Sequence, residues 1–245
     1  MRPTRRTGSR LLMGLVFLFL YAPILLLIIF SFNSGESNTV WQGFSLHWYK
    51  ELFHNRIIIE SVYTTLLVSL LATLIATVVG TFAAIGLYSM SRRWRNPLLT
   101  INNIPMMNAD IVTGVSLMLM FIFAHVPLGK GTMIMAHIAF DIPYVLFSVL
   151  PKLKQMNPNL YEAALDLGCH PVKALYKVIV PEITPGIFTG ALLAFTMSLD
   201  DFVISFFVTG ATTTTLPLKI YSSVKTGVSL QVNALCTLIL AAVAI

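Results

Sequence analysis

From Leu11 to Phe32 the chain runs without one charged side chain, and from Ser61 to Tyr88 it does so again. No other feature limits the fold so tightly. A helix needs about 20 mostly apolar residues to cross about 30 Å of hydrocarbon. Composition points the same way. Of the 245 residues, 56% are hydrophobic and 11% are charged, where an ordinary soluble domain carries about 25% charge. Such a chain cannot cover itself with charge, and hydrophobicity this high is incompatible with disorder. Two cysteines, Cys169 and Cys236, exclude a disulfide scaffold and a multi-cysteine zinc site. The chain reads as an integral membrane protein.

Six spanning helices are predicted, at about 11–32, 61–88, 104–124, 132–150, 187–208 and 232–245, in one all-α membrane domain over 1–245. A β-barrel would show short alternating segments, and Leu66-Leu67-Val68-Ser69-Leu70-Leu71-Ala72 does not alternate. Arg2, Arg5, Arg6 and Arg10 ahead of the first run suggest a signal peptide. The apolar core of a signal peptide is only about 7–15 residues long, and here the run continues through Pro23 to Phe32. The first segment is therefore expected to be a retained helix. The sixth, from Val232 to Ile245, gives only about 21 Å of helix, and the expectation is that the native C-terminus lies further on.

The bases set the orientation. Eleven of the 16 fall on one side: Arg2, Arg5, Arg6, Arg10, Arg92, Arg93, Arg95, Lys152, Lys154, Lys173 and Lys177. Lys50, Arg56, Lys130, Lys219 and Lys225 fall on the other. The N-terminus is thus expected in the cytoplasm, and the net charge of +6 reflects topology rather than nucleic-acid binding.

Three loops can hold structure. On the outside, Asn33–Glu60 carries Trp41, Phe44, Trp48, Tyr49 and Phe53, an aromatic belt with a short helix expected around Leu46–Phe53. The second outer loop passes Thr212-Thr213-Thr214-Thr215, then repeats Leu216, Ile220 and Val224 at helical spacing. The cytoplasmic loop, 151–185, is the most strongly punctuated. Asn157 is an N-cap, Pro158 a first helical residue and Gly168 a stop, so Asn159–Leu167 is predicted to be a short helix. A second is expected to open after Pro171 and end before Pro181. Glu162 and Asp166 lie four apart on one face, and Ala163 and Ala164 allow close approach by another surface. A solvated hairpin and a docking element for a cytoplasmic partner both fit this pattern.

Glu162-Ala163-Ala164, Gly168 after three more residues, and Ile179-Val180-Pro181 resemble the EAA loop of ABC importer permeases, with Val180 where Leu is usual. Tyr21-Ala22-Pro23, Leu199-Asp200-Asp201-Phe202-Val203 and Leu216-Pro217-Leu218-Lys219-Ile220-Tyr221-Ser222 extend the likeness, over nearly the whole chain, to the second permease subunit of spermidine/putrescine importers. The resemblance implies a type I importer fold working by alternating access. It implies as partners a sister permease subunit, two ATPase subunits and an extracellular polyamine-binding protein. Coupling falls to Glu162, Ala163, Ala164, Gly168 and Pro181. ATP and Mg would be used by the partner ATPase, with no cofactor on this chain. The resemblance also selects Trp48 as the outer aromatic for substrate contact.

Four acids fall in the predicted spans: Asp110, Asp141, Asp200 and Asp201. Acids at lipid depth are costly and functional by default. No Lys or Arg lies deep in a span to neutralise them, so a passing cation or a proton is the natural partner. Asp200 and Asp201 point about 100° apart on a helix, one toward the pathway and the other toward a sister subunit or a helix end. Ser198 and Thr196 extend that polar patch. For Asp110 a helix-start role after Pro105 and pathway lining weigh evenly. For Asp141, before Ile142-Pro143, a structural hydrogen bond at a kink is favoured.

Gly129-Lys130-Gly131-Thr132 fails as a phosphate loop, because Gly131 stands where Ser or Thr must follow the lysine. No His-Glu-x-x-His metal motif and no nucleophile elbow occur, so catalysis within the chain is not expected. An ion-coupled secondary transporter would predict inverted repeats and no docking hairpin. A permease of the same fold for another organic cation, an amino acid or a phosphonate remains compatible with these residues.

Overall fold

The computed structural model describes residues 4–37, 39–157, 159–211, 213–226 and 229–244. Arg2, Pro158, Thr212 and Ile245 lie outside the described residues, as do the side chains of Arg5 and Arg6. The described chain is helical and, apart from a backbone bridge between Asn33 and Phe44, holds no strand pairing. In order it forms α1 (Thr4–Ser31), α2 (His47–His54), α3 (Arg56–Ser89), α4 (Arg92–Met107), α5 (Asp110–Phe123), α6 (Lys130–Gln155) and α7 (Asn159–Asp166). There follow α8 (Pro171–Ala174), a π turn at Leu175–Ile179, α9 (Val180–Asp200), α10 (Val203–Val208), α11 (Leu216–Thr226) and α12 (Leu230–Ala244).

Among the described residues, four stretches are long and apolar enough to cross a membrane: Leu12–Ser31, Arg56–Ser89, Lys130–Gln155 and Pro171–Asp200. A fifth results if α4 and α5, bent by 105°, count as one span. The protein is thus an all-α, multi-pass membrane protein. Leu230–Ala241 is apolar but shorter. Two predicted boundaries need correction. The span 104–124 breaks at Asn108 and Ala109, whose backbones are extended; Pro105 just before cannot donate to the helix. The span 187–208 ends at Asp200, and Val203–Val208 is a separate short helix.

The chain divides into two compact units, Met1–Glu60 with Lys219–Ile245, and Ser61–Leu218. In the first, α12 packs on α1 and α2, and Asn55 donates to Gln231 Oε1 at 3.1 Å. In the second, α6 lies against α9 along its length. Gly186 meets Lys152 and Ser148, Gly190 meets Val145, and Ser198 meets His137, so the two helices are antiparallel. On the other side of α6, Val68 clusters with Met133 and Ala136, Gly80 touches Val145, and Ala84 and Leu87 cluster with Val149 and Leu153. The pairing advances in step, so α3 and α6 run parallel. Lipid is as apolar as leucine, so close packing and polar contacts, rather than burial from water, hold such helices together. Small residues serve that purpose: Ala72, Ala76 and Ala84 on α3 are fully buried.

Candidate functional site

The backbone leaves helical geometry at Asp201, which is extended. Its carboxylate then caps α10, with Oδ1 accepting the Ile204 N–H at 3.2 Å and Oδ2 the Ser205 N–H at 2.8 Å. His137, on the facing helix α6, completes the arrangement. Its Nε2 lies 3.5 Å from Asp201 Oδ2 and 3.1 Å from Ser205 Oγ, and its Nδ1 lies 2.6 Å from Ser198 Oγ. The ring thus bridges the Ser198 and Ser205 hydroxyls beside the Asp201 carboxylate. His137 and Ser198 are buried at 2% and 3% exposure. The structure therefore joins two of the residues selected from the sequence, Ser198 and Asp201, through a third that was not selected. Asp200 is exposed.

Asp110 is the first residue of α5 and is exposed; an acid there complements the helix dipole. Asp141 is fully buried, and neither carboxylate oxygen has a hydrogen-bond partner among the described residues. This corrects the favoured expectation of a structural hydrogen bond at the Pro143 kink. Thr196 uses its hydroxyl locally, donating to the Leu192 carbonyl at 2.8 Å.

Trp48 belongs to the first unit. It sits half-buried in α2 and its indole donates to the Asn33 carbonyl at 2.8 Å. Asn33 is fully buried and organises the loop: Nδ2 donates to Ser37 and Val40 carbonyls at 2.9 Å each, and Oδ1 accepts the Gln42 N–H at 2.8 Å. Tyr49 bonds Ser31 at 2.8 Å, and Phe32 stacks on Phe44 at 5.4 Å between ring centres.

In the loop 151–185, Asn157 Oδ1 accepts the Asn159 N–H at 3.0 Å and starts α7. Gly168, at φ +78°, ends it. Cys169 N–H reaches the Ala164 carbonyl at 3.0 Å and Gly168 N–H the Leu165 carbonyl at 2.9 Å, the Schellman pattern that needs a left-handed residue. Glu162 and Ala163 are exposed and Ala164 half-buried. The second helix does not stop before Pro181. It runs from Pro171 through the π turn into α9. In the π turn the Val180 N–H bonds the Leu175 carbonyl, five residues back, and this wider turn relieves the clash that a proline ring makes with the carbonyl four residues before it. Pro181 is thus exposed at the base of a continuous helix. A cavity of about 440 Å³ opens beside Glu162, walled by Ile85, Tyr88, Met156, Tyr161, Val172 and Leu175.

Two residues escaped the sequence reading. His137 was not selected, although an ionisable residue inside a span is itself the signal. Leu167 is 89% exposed at the end of α7; an apolar residue directly ahead of the stop glycine was the available clue.

Comparison with known proteins agrees with this geometry. Residues 76–245 match the family described as binding-protein-dependent transport system inner membrane component. The putrescine transport system permease protein PotI of Escherichia coli K12 is 42% identical over 251 residues, covering 99% of this chain and 89% of that protein. The spermidine/putrescine transport system permease protein PotC of Haemophilus influenzae is 40% identical, over 93% and 89%. A crystal structure of a bacterial ABC transporter importing the acidic polysaccharide alginate shares the fold, with a TM-score of 0.77 at 17% identity over 97% of this chain and 92% of that one. The chain belongs to the family of binding-protein-dependent transport system inner membrane components. It is accordingly a permease component of an importer and not an enzyme.

Proposed function

We propose that this chain is one of two permease subunits that together form the membrane path of an ATP-driven polyamine importer. The observation that carries the reading is the 42% identity, over 99% of the chain, to a putrescine permease. Unpaired intramembrane acids suit such a cargo, since polyamines carry two or more ammonium groups on an apolar stem. Carboxylates hold the heads, and aromatic faces hold stem and charge. Asp200, exposed at the end of α9, faces the pathway. Asp201 and Ser198, held by His137, shape the turn beside it. Asp110 and Trp48 are the further residues assigned here to contact with the cargo.

In this proposal the chain crosses the bacterial membrane six times in the type I importer arrangement, α12 being the last crossing, with the N-terminus in the cytoplasm. The partners are a sister permease, two ATPase subunits that use ATP and Mg, and an extracellular polyamine-binding protein. This chain holds no cofactor of its own. Glu162 and the exposed Leu167 present α7 to an ATPase subunit. The Gly168 turn fixes the angle of α7, and Pro181 with the π turn passes its movement into α9. ATP-driven closure opens the pathway outward, and hydrolysis resets it inward.

The test is a charge reversal. Glu162→Lys is expected to abolish uptake and binding-protein-stimulated ATP hydrolysis while the subunit stays in the membrane. Normal uptake by that variant would remove Glu162 from coupling.

A further inference from the structure

Asp141 is the one acid in these spans that is fully enclosed, and both of its oxygens lack a partner among the described residues. A bare carboxylate at this depth costs several kcal/mol, so the group holds a proton when alone and ionises only with a cation beside it. A side chain of another subunit is too large to reach a residue with no exposed surface. Only a small species can enter. The wall opposite is equipped for one. Thr73, Thr77 and Thr81 recur every fourth residue on α3, their Oγ1 atoms are shut from solvent, and they too lack partners among the described residues. Thr65, Thr100, Thr184, Thr189 and Thr196 instead bond the carbonyl four residues back. The register places Thr77 at the level of Asp141, with Thr73 one turn before it: Gly80 touches Val145 and the Ile142 carbonyl, and one turn earlier on these parallel helices stand Thr77 and Asp141. Asp141 also lies one turn from His137 on α6. The surrounding titratable groups are His137 and Tyr144 on α6, Asp201 after α9 and Asp110 on α5; the facing stretch of α3 carries none, and the bases of α4 stand at its far end.

We propose that Asp141, with the Thr73 and Thr77 hydroxyls, is an intramembrane site for a primary ammonium group. The α3–α6 seam encloses it in this conformation and exposes it when the two helices separate during transport. The choice of an ammonium rests on the organic-cation reading above, whereas the site itself rests on Asp141 and the threonines.

The test uses the complete importer reconstituted in lipid vesicles. Infrared difference spectra, wild type minus Asp141→Asn, isolate the carboxyl signal of this residue with and without putrescine, spermidine and n-butylammonium, while uptake of labelled putrescine and spermidine is measured in the same vesicles. The expected result is a carboxyl signal that becomes ionised with amine, together with at least a tenfold loss of uptake in Asp141→Asn. A signal indifferent to all three amines, or full uptake by Asp141→Asn, overturns the proposal. If the wild type imports neither polyamine while n-butylammonium still shifts the signal, the cargo reading fails and the site stands. Should Asp141→Asn not reach the membrane, Thr77→Val and Asp141→Glu carry the test: a raised KM at normal membrane level is expected, and an unchanged KM in both overturns it.

Discussion

One methyl group added at Gly80 wedges α3 away from α6. A Cβ at that position would lie 2.8 Å from Val145 Cβ and 2.9 Å from its Cγ1, where carbon atoms rest at about 3.5–4.0 Å. Val145 is fully buried and cannot swing aside, so the backbones must part by roughly 1 Å, an overpacking cost of about 1–3 kcal/mol. Against this, alanine gains about 0.5–1 kcal/mol over glycine inside a helix. Gly80→Ala is therefore expected to destabilise by about 1 kcal/mol net. Gly86, two turns on in the same helix, has nothing within 4 Å of its added Cβ, so Gly86→Ala keeps the propensity gain alone. The two variants should differ by about 2 kcal/mol, or roughly 4–8 °C in a chain of this length. Thermal unfolding in one detergent, followed by circular dichroism, reads the difference. Equal upward shifts for both would refute the α3–α6 register and the site argued from it.

Asp201→Asn is expected to lose about 1–3 kcal/mol, since it weakens the α10 cap and its His137 contact, whereas Asp200→Asn should leave stability unchanged and lower uptake; paired melting and transport assays separate them. His137→Leu leaves Ser198 and Asp201 without their buried partner and should cost about 2–4 kcal/mol, read as a lower Tm. Gly168→Val forces a β-branched side chain into left-handed geometry at about 1–2 kcal/mol and should uncouple ATP hydrolysis from uptake more than it lowers Tm.

Four of the spans among the described residues were legible because an uncharged run such as Ser61–Tyr88 has few other uses. The loop was legible because Asn157 and Gly168 act through their own backbone geometry, which neighbours do not override. The breaks at Asn108–Ala109 and Asp201 were legible only as alternatives, the helix start weighed for Asp110 and the helix end weighed for one of the Asp200–Asp201 pair, because apolar content stays high across both and says nothing of direction. Pro181 was misread as a stop because the π turn that accommodates it depends on the preceding five residues together. The His137 cluster depends on α6 meeting α9 in one antiparallel register, and that register is set by contacts of Gly186 and Gly190 far along the chain. Asp141 was visible as an acid, but its lack of a partner emerged only from packing.

Reconstitution of this subunit with its sister permease, ATPase and binding protein puts the central claim to the test. ATP should drive labelled putrescine or spermidine into vesicles only when the binding protein is present, and Asp200→Asn should slow it. Vesicles that hydrolyse ATP in response to the binding protein yet accumulate neither amine would contradict the account.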